Sequence, residues 1–105
     1  MSGILASALH GGVLRLTLND AASRNSLSEA MMTALGGALA AAADDTAVRV
    51  IVLAAVGPAF SSGHNLKEIT AHRADADRGA AYFQLLFRTC ADLMLAIVNH
   101  PKPVI

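Results

Sequence analysis

The residues best suited to chemistry lie in the run Phe60-Ser61-Ser62-Gly63-His64-Asn65-Leu66-Lys67-Glu68. Glycine tolerates a tight backbone turn, so Gly63 frees the peptide N–H groups that follow it to face a ligand. Donors held in this way stabilise negative charge growing on a carbonyl oxygen, as an oxyanion or enolate. One such donor contributes roughly 2.7 to 4 kcal/mol in other enzymes. On turn chemistry alone the run is equally a glycine turn with no ligand. Ser61 and Ser62 beside His64 are a poor nucleophilic pair, because sequence neighbours seldom reach triad geometry and no G-x-S-x-G elbow is present. A metal at His64 would need further ligands, and His72 lies on a polar segment with no matching partner, so no metal is expected.

A loop of this kind works only if rigid elements hold it. Val48 to Val56 is β-branched and almost continuously apolar, which predicts a strand buried on both faces of a mainly parallel sheet, ended by Gly57-Pro58. The loop then sits at a strand's carboxyl end, a common place for ligands. Ahead of it, Ile4 to Leu9 and Val13 to Leu18 predict a hairpin across His10-Gly11-Gly12, with Leu14, Leu16 and Leu18 on one buried face. Ser26 with Glu29 matches a capping box, and Leu27, Met31, Leu35 and Leu39 recur as a helical stripe, predicting a helix from about Ser28 to Ala43. Gly36-Gly37 weakens its interior. Ser62 or Asn65 caps a short helix carrying Leu66, Lys67 and Glu68.

Ala71 to Arg78 predicts a polar connection, with Arg73, Asp75, Asp77 and Arg78 solvated. A long helix from about Gly79 to Val98 follows, with Tyr82, Leu85, Leu86, Thr89, Leu93, Met94 and Ile97 as its buried stripe and Cys90 as a small core residue. Asn99-His100-Pro101-Lys102-Pro103 stops it, and Val104-Ile105 looks like the start of another strand. His10 and His100 fall at turns and are expected in solvent.

The chain has 105 residues, 54% hydrophobic and 15% charged, a composition that excludes disorder and allows one modest domain or part of one. Eight basic residues balance eight acidic ones, so nothing marks a nucleic-acid partner or an anionic membrane. The longest apolar run, Val50 to Gly57, falls short of the roughly 20 residues that span a bilayer. The lone Cys90 excludes an internal disulfide and the start shows no leader, so a cytoplasmic setting is expected. With so little charge, some apolar surface should meet another surface.

Taken together, L-N-D-A-A-S-R-N-S-L-S-E-A-M, then D-D-T-A-V-R-V-I-V-L-A-A-V-G-P-A-F-S-S-G-H-N-L-K-E, then H-P-K-P-V-I resemble in order and spacing the enoyl-CoA hydratase/isomerase (crotonase) family. The S-S-G-H form of the loop and the N-H-P ending point to one branch within it. The resemblance implies an α/β fold, a crotonase-like spiral of ββα units, of which residues 1–105 form the amino-terminal part: hairpin, helix, buried strand, oxyanion loop and long helix. It implies an acyl-CoA substrate, coenzyme A entering as part of that substrate with no permanently bound cofactor, and a homo-oligomer, trimer or hexamer. The first oxyanion donor falls on the backbone N–H of His64, after Gly63. Contacts to coenzyme A fall on Arg24, Asn25 and Ser26 and on Ser62 and Lys67. Leu66, Ile69 and Phe83 or Phe87 line the acyl pocket.

The family more often has alanine and aspartate where His64 and Asn65 stand, so the imidazole either narrows the acyl site or donates a hydrogen bond there. Family chains are longer, and their second oxyanion donor and acidic catalytic residues are expected after Ile105. The implied reaction for the complete protein is addition of water to a 2-enoyl-CoA. The alternative is a fragment or paralogue that binds acyl-CoA or a partner subunit without turnover.

Overall fold

The computed structural model describes residues 3–105; Met1 and Ser2, the first part of the stretch read for a leader, lie outside the described residues. Alternation sets the hairpin. Strands β1 (Leu5–His10) and β2 (Val13–Leu18) pair antiparallel across Gly11-Gly12. Leu14, Leu16 and Leu18 turn into the core, while Arg15 stays exposed. Helix α1 (Glu29–Asp44) then crosses over to strand β3 (Val50–Ala55), which pairs parallel with β2 and completes the sheet order β1-β2-β3. Met31, Met32, Leu35, Leu39 and Ala42 bury the apolar stripe of α1 in the core beside Leu16 and Ile51. The expected α/β architecture of hairpin, helix, parallel strand, glycine loop and long helix is the one observed.

The amino terminus of α1 differs from expectation. Ser28 is its cap, accepting from the Met31 N–H at 3.1 Å, while Ser26 lies before the helix and bonds to Ser23. The cap falls where extended backbone meets the first helical turn, and that is Ser28, not the first serine of the run. At the other end, the segment after the last helix bonds to carbonyls near the carboxyl terminus of α1. His100 Nε2 lies 2.8 Å from Leu39 O, and Lys102 Nζ donates to Ala42 O at 2.6 Å and also to Asp45 O. His100 is therefore a structural contact and not a solvated turn residue.

Strand β3 is shorter and less buried than predicted. Arg49 and Val50 donate to Gly12 O at 2.8 and 3.2 Å, so pairing begins only there. Ile51, Leu53 and Ala55 pack on the core, whereas Val50, Val52 and Ala54 face the other way and remain partly exposed, because no layer of the described residues covers that face. Val104 pairs parallel with Ile51, with Ile51 N–H to Pro103 O at 2.9 Å, so the chain does enter a further strand on the far side of β3.

Helix α2 (Leu66–His72) is capped by Asn65, whose Oδ1 accepts from the Glu68 N–H at 3.1 Å; Ser62 does not cap it. Helix α3 (Ala80–Val98) packs on the core through Tyr82, Leu86 and Leu93. Leu85 and Met94, expected in that stripe, are exposed, since the buried face of α3 is narrower than its apolar composition. By length and composition α3 is enough to cross a membrane, contrary to the shorter run counted above. It carries Arg88 and Asp92 in mid-helix and packs against α1.

Candidate active site

Two loops make the site, and side-chain chemistry laces them together. The turn before α1 contains a 3₁₀ segment, Ala21–Ser23, followed by Arg24 and Asn25 with φ of 57° and 56°. Asparagine is among the few residues that tolerate this left-handed conformation. Asn25 is wholly buried, and its amide accepts from the Asp20 N–H at 2.8 Å and donates to Val56 O at 2.8 Å and Ala59 O at 2.9 Å. It ties the turn to the end of β3 and the start of the Gly63 loop. From the other side, the Ser62 N–H donates to Arg24 O at 3.0 Å and the Ser62 hydroxyl to Ser23 O at 3.1 Å. The Leu27 N–H donates to Gly63 O at 2.6 Å, and Asn65 Nδ2 to Ser26 Oγ at 3.2 Å.

Gly63 has φ of +94°, and a side chain there would meet nothing within 4 Å. The demand for glycine is conformational, not a matter of space. The turn leaves the His64 N–H with no hydrogen-bond acceptor among the described residues, although the Leu27 side of the bridge at this point is made. His64 lines an open cleft of about 710 Å³, within the size range of small-molecule sites.

Ser26, Ser62, His64, Leu66, Lys67 and Ile69 all line this cleft, so most of the expected residues converge. Lys67 is an exposed cation on its wall, and Leu66, 73% exposed, offers an apolar surface. Ser26 is buried with its hydroxyl engaged by Ser23 and Asn65, which makes it part of the wall. Asn25 does not line the cleft: it is buried and its amide has three partners inside the protein, so the side chain positions the loops. Arg24 is exposed on the turn and does not line the cleft. Phe83 and Phe87 do not line it either; Phe87 meets the edge of the His64 ring, with centroids 6.3 Å apart, and Phe83 lies 6.4 Å beyond it.

Sequence reasoning missed Asp20, Ala22 and Ser23, which also line the cleft. Their signal was only the small, turn-forming composition of that stretch. It missed Glu68 as well, whose carboxylate accepts from the Glu29 N–H at 3.1 Å and so holds α2 against the first turn of α1. Titration shifts fall outside the cleft. Burial raises the Tyr82 hydroxyl above its ordinary value, with Glu29 and Glu68 adding to it, while the backbone N–H groups of Ala81 and Gly79 lower Asp77. His72 stacks on Tyr82 with centroids 3.6 Å apart and has Asp75 at 2.7 Å, so that segment is more ordered than a solvated connection.

Residues 8–105 match the enoyl-CoA hydratase/isomerase family. The chain belongs to that family. Among enoyl-CoA hydratase/isomerase relatives, it is 40% identical over 94 residues to the human enoyl-CoA hydratase domain-containing protein 3, mitochondrial, covering 90% of this chain and 29% of that protein. The solved enoyl-CoA hydratase of Mycobacterium smegmatis superposes with a TM-score of 0.86 at 44% identity, over 98% of this chain and 38% of that one. The solved human enoyl-CoA hydratase domain-containing protein 3 gives a TM-score of 0.84 at 34% identity, over 97% and 38%. The chain thus spans about a third of the length of the family members it matches.

Proposed function

We propose that this chain supplies the first carbonyl donor and one wall of the coenzyme A site in an enzyme that adds water to a 2-enoyl-CoA thioester. The observation that carries this reading is the His64 N–H, held by the Gly63 turn, without a protein acceptor, at the edge of the cleft. A thioester carbonyl placed against it gains a donor that strengthens as the oxygen becomes an enolate. Lys67 on the cleft wall and Arg24 on the adjoining turn are cations suited to the phosphates of coenzyme A. Assembly as a homo-oligomer would cover exposed side chains of α3 such as Leu85, Phe87, Leu95 and Val98.

Hydration also needs a base to activate water and an acid to protonate the α-carbon. Among the described residues that line the cleft the only carboxylate is Asp20, and its Oδ2 accepts from the Ser23 hydroxyl at 2.7 Å. That observation favours a second reading for the 105 residues taken alone, binding of acyl-CoA without turnover. Crotonyl-CoA separates the two. The 105-residue chain is expected to bind it and leave the absorbance of the conjugated thioester unchanged, whereas a form extended to the relatives' length is expected to consume it. Turnover by the short chain would overturn the second reading, and absence of binding by either would overturn both.

A further inference from the structure

The imidazole of His64 has a role that the main-chain donor does not explain. Its Nδ1 is buried with no hydrogen-bond partner, although the residue as a whole is only half-buried and lines the cleft. Nε2 is not among the buried unpartnered atoms, and no hydrogen bond of the described residues engages it. The edge-on contact with Phe87, at an interplanar angle of 65°, braces the ring in this orientation. A proton on Nδ1 would bury an N–H without an acceptor, the rarest kind of unpaired buried group; a bare lone pair there is the milder loss. The proton therefore belongs on Nε2, and the accessible edge of the ring is a donor.

We propose that the Nε2–H of His64 reads an acceptor oxygen on the acyl carbons next to the thioester carbonyl. The site then favours acyl-CoA thioesters bearing a hydroxyl or oxo group there over plain alkyl ones. This deepens the carbonyl reading above and rests on it, because the ring grows from the residue whose N–H meets the carbonyl oxygen and so stays close to the first acyl carbons. Of the two roles open to the imidazole, donating and merely narrowing, only donation distinguishes an oxygenated chain from an alkyl chain of similar size. A ligand that lacks the acceptor displaces water from this donor without replacing its hydrogen bond, and that loss is the source of the discrimination.

Calorimetric titration with butyryl-CoA, 2-hydroxybutyryl-CoA and 3-hydroxybutyryl-CoA tests the proposal on the unmodified protein, His64→Phe and His64→Gln. Phenylalanine keeps a flat ring against Phe87 but has no nitrogen, and glutamine restores an N–H. The affinity ratio within each protein is the readout, since the main-chain donor is common to all. At least one hydroxylated ligand should bind the unmodified protein about tenfold more tightly than butyryl-CoA. The ratio should fall to about one in His64→Phe and recover in part in His64→Gln. A ratio near one in the unmodified protein, or one retained in His64→Phe, overturns the proposal and leaves the carbonyl reading standing. Failure of all three ligands to bind protein that is folded by circular dichroism overturns both. Independently of any variant, ¹⁵N shifts of the His64 ring should place the proton on Nε2; a proton on Nδ1 contradicts the proposal.

Discussion

A single asparagine holds the candidate site in shape. Asn25 makes three hydrogen bonds with one buried amide, one within the turn before α1 and two that join that turn to the chain just after β3. Replacing it with alanine leaves the Asp20 N–H and the Val56 and Ala59 carbonyls without their partner, so Asn25→Ala should destabilise the protein by about 2 to 3 kcal/mol in urea unfolding. An unchanged midpoint would mean that water or a small shift replaces those bonds. The role was not legible in the sequence, where Asn25 is one of several turn-forming residues and its partners are 31 and 34 positions away. Gly63 was legible, because a glycine in a loop after a strand is a local signal. The Asn65 cap was readable for the same reason, since its partner is only three residues on.

At the scale of elements, α3 starts without a cap of its own, for Gly79 has no side chain and φ of 90°. Asp77 takes over, accepting from the N–H groups of Gly79 at 2.9 Å and Ala81 at 3.0 Å, and these bonds lower its pKa below the ordinary 3.8. The folded-state pKa is depressed, so the stabilisation is present above the unfolded value and is lost as pH falls through the folded one. Asp77→Asn should therefore lower the melting temperature at neutral pH and narrow the gap between pH 7 and pH 3; an equal acid loss in both proteins would contradict the cap. In α1, Gly36 and Gly37 leave the helix uninterrupted, and a side chain at Gly37 would meet nothing within 4 Å. Gly37→Ala should stabilise by about 0.5 to 1 kcal/mol in the same unfolding assay, and a loss of stability would mean that the position packs against something. Periodicity located α1 and α3 to within a residue or so, yet it could not tell which apolar residues of α3 are covered. That depends on neighbours, and Leu85 and Met94 differ from Leu86 and Leu93 only in which side of the helix they occupy.

Across the whole molecule, the sheet, α1 and α3 form a platform whose purpose is to present one loop. The parallel pairing of β2 and β3 brings the carboxyl end of β3 beside the turn before α1, and the bonds from Ser62 and Leu27 bind loop to turn. The order of elements and the glycine turn after β3 were readable because hydrophobic period and glycine are local features. The partial burial of β3 was not, because it reflects which layers lie over the sheet. In the proposed function the His64 N–H binds the carbonyl oxygen of an acyl-CoA thioester. Isotope-edited infrared spectroscopy of butyryl-CoA carrying ¹³C at the thioester carbonyl tests it most directly. The carbonyl band should move to lower frequency on binding, and Gly63→Val, which strains the turn that holds the N–H, should abolish the movement. A ligand that binds with its carbonyl band unshifted would contradict that function.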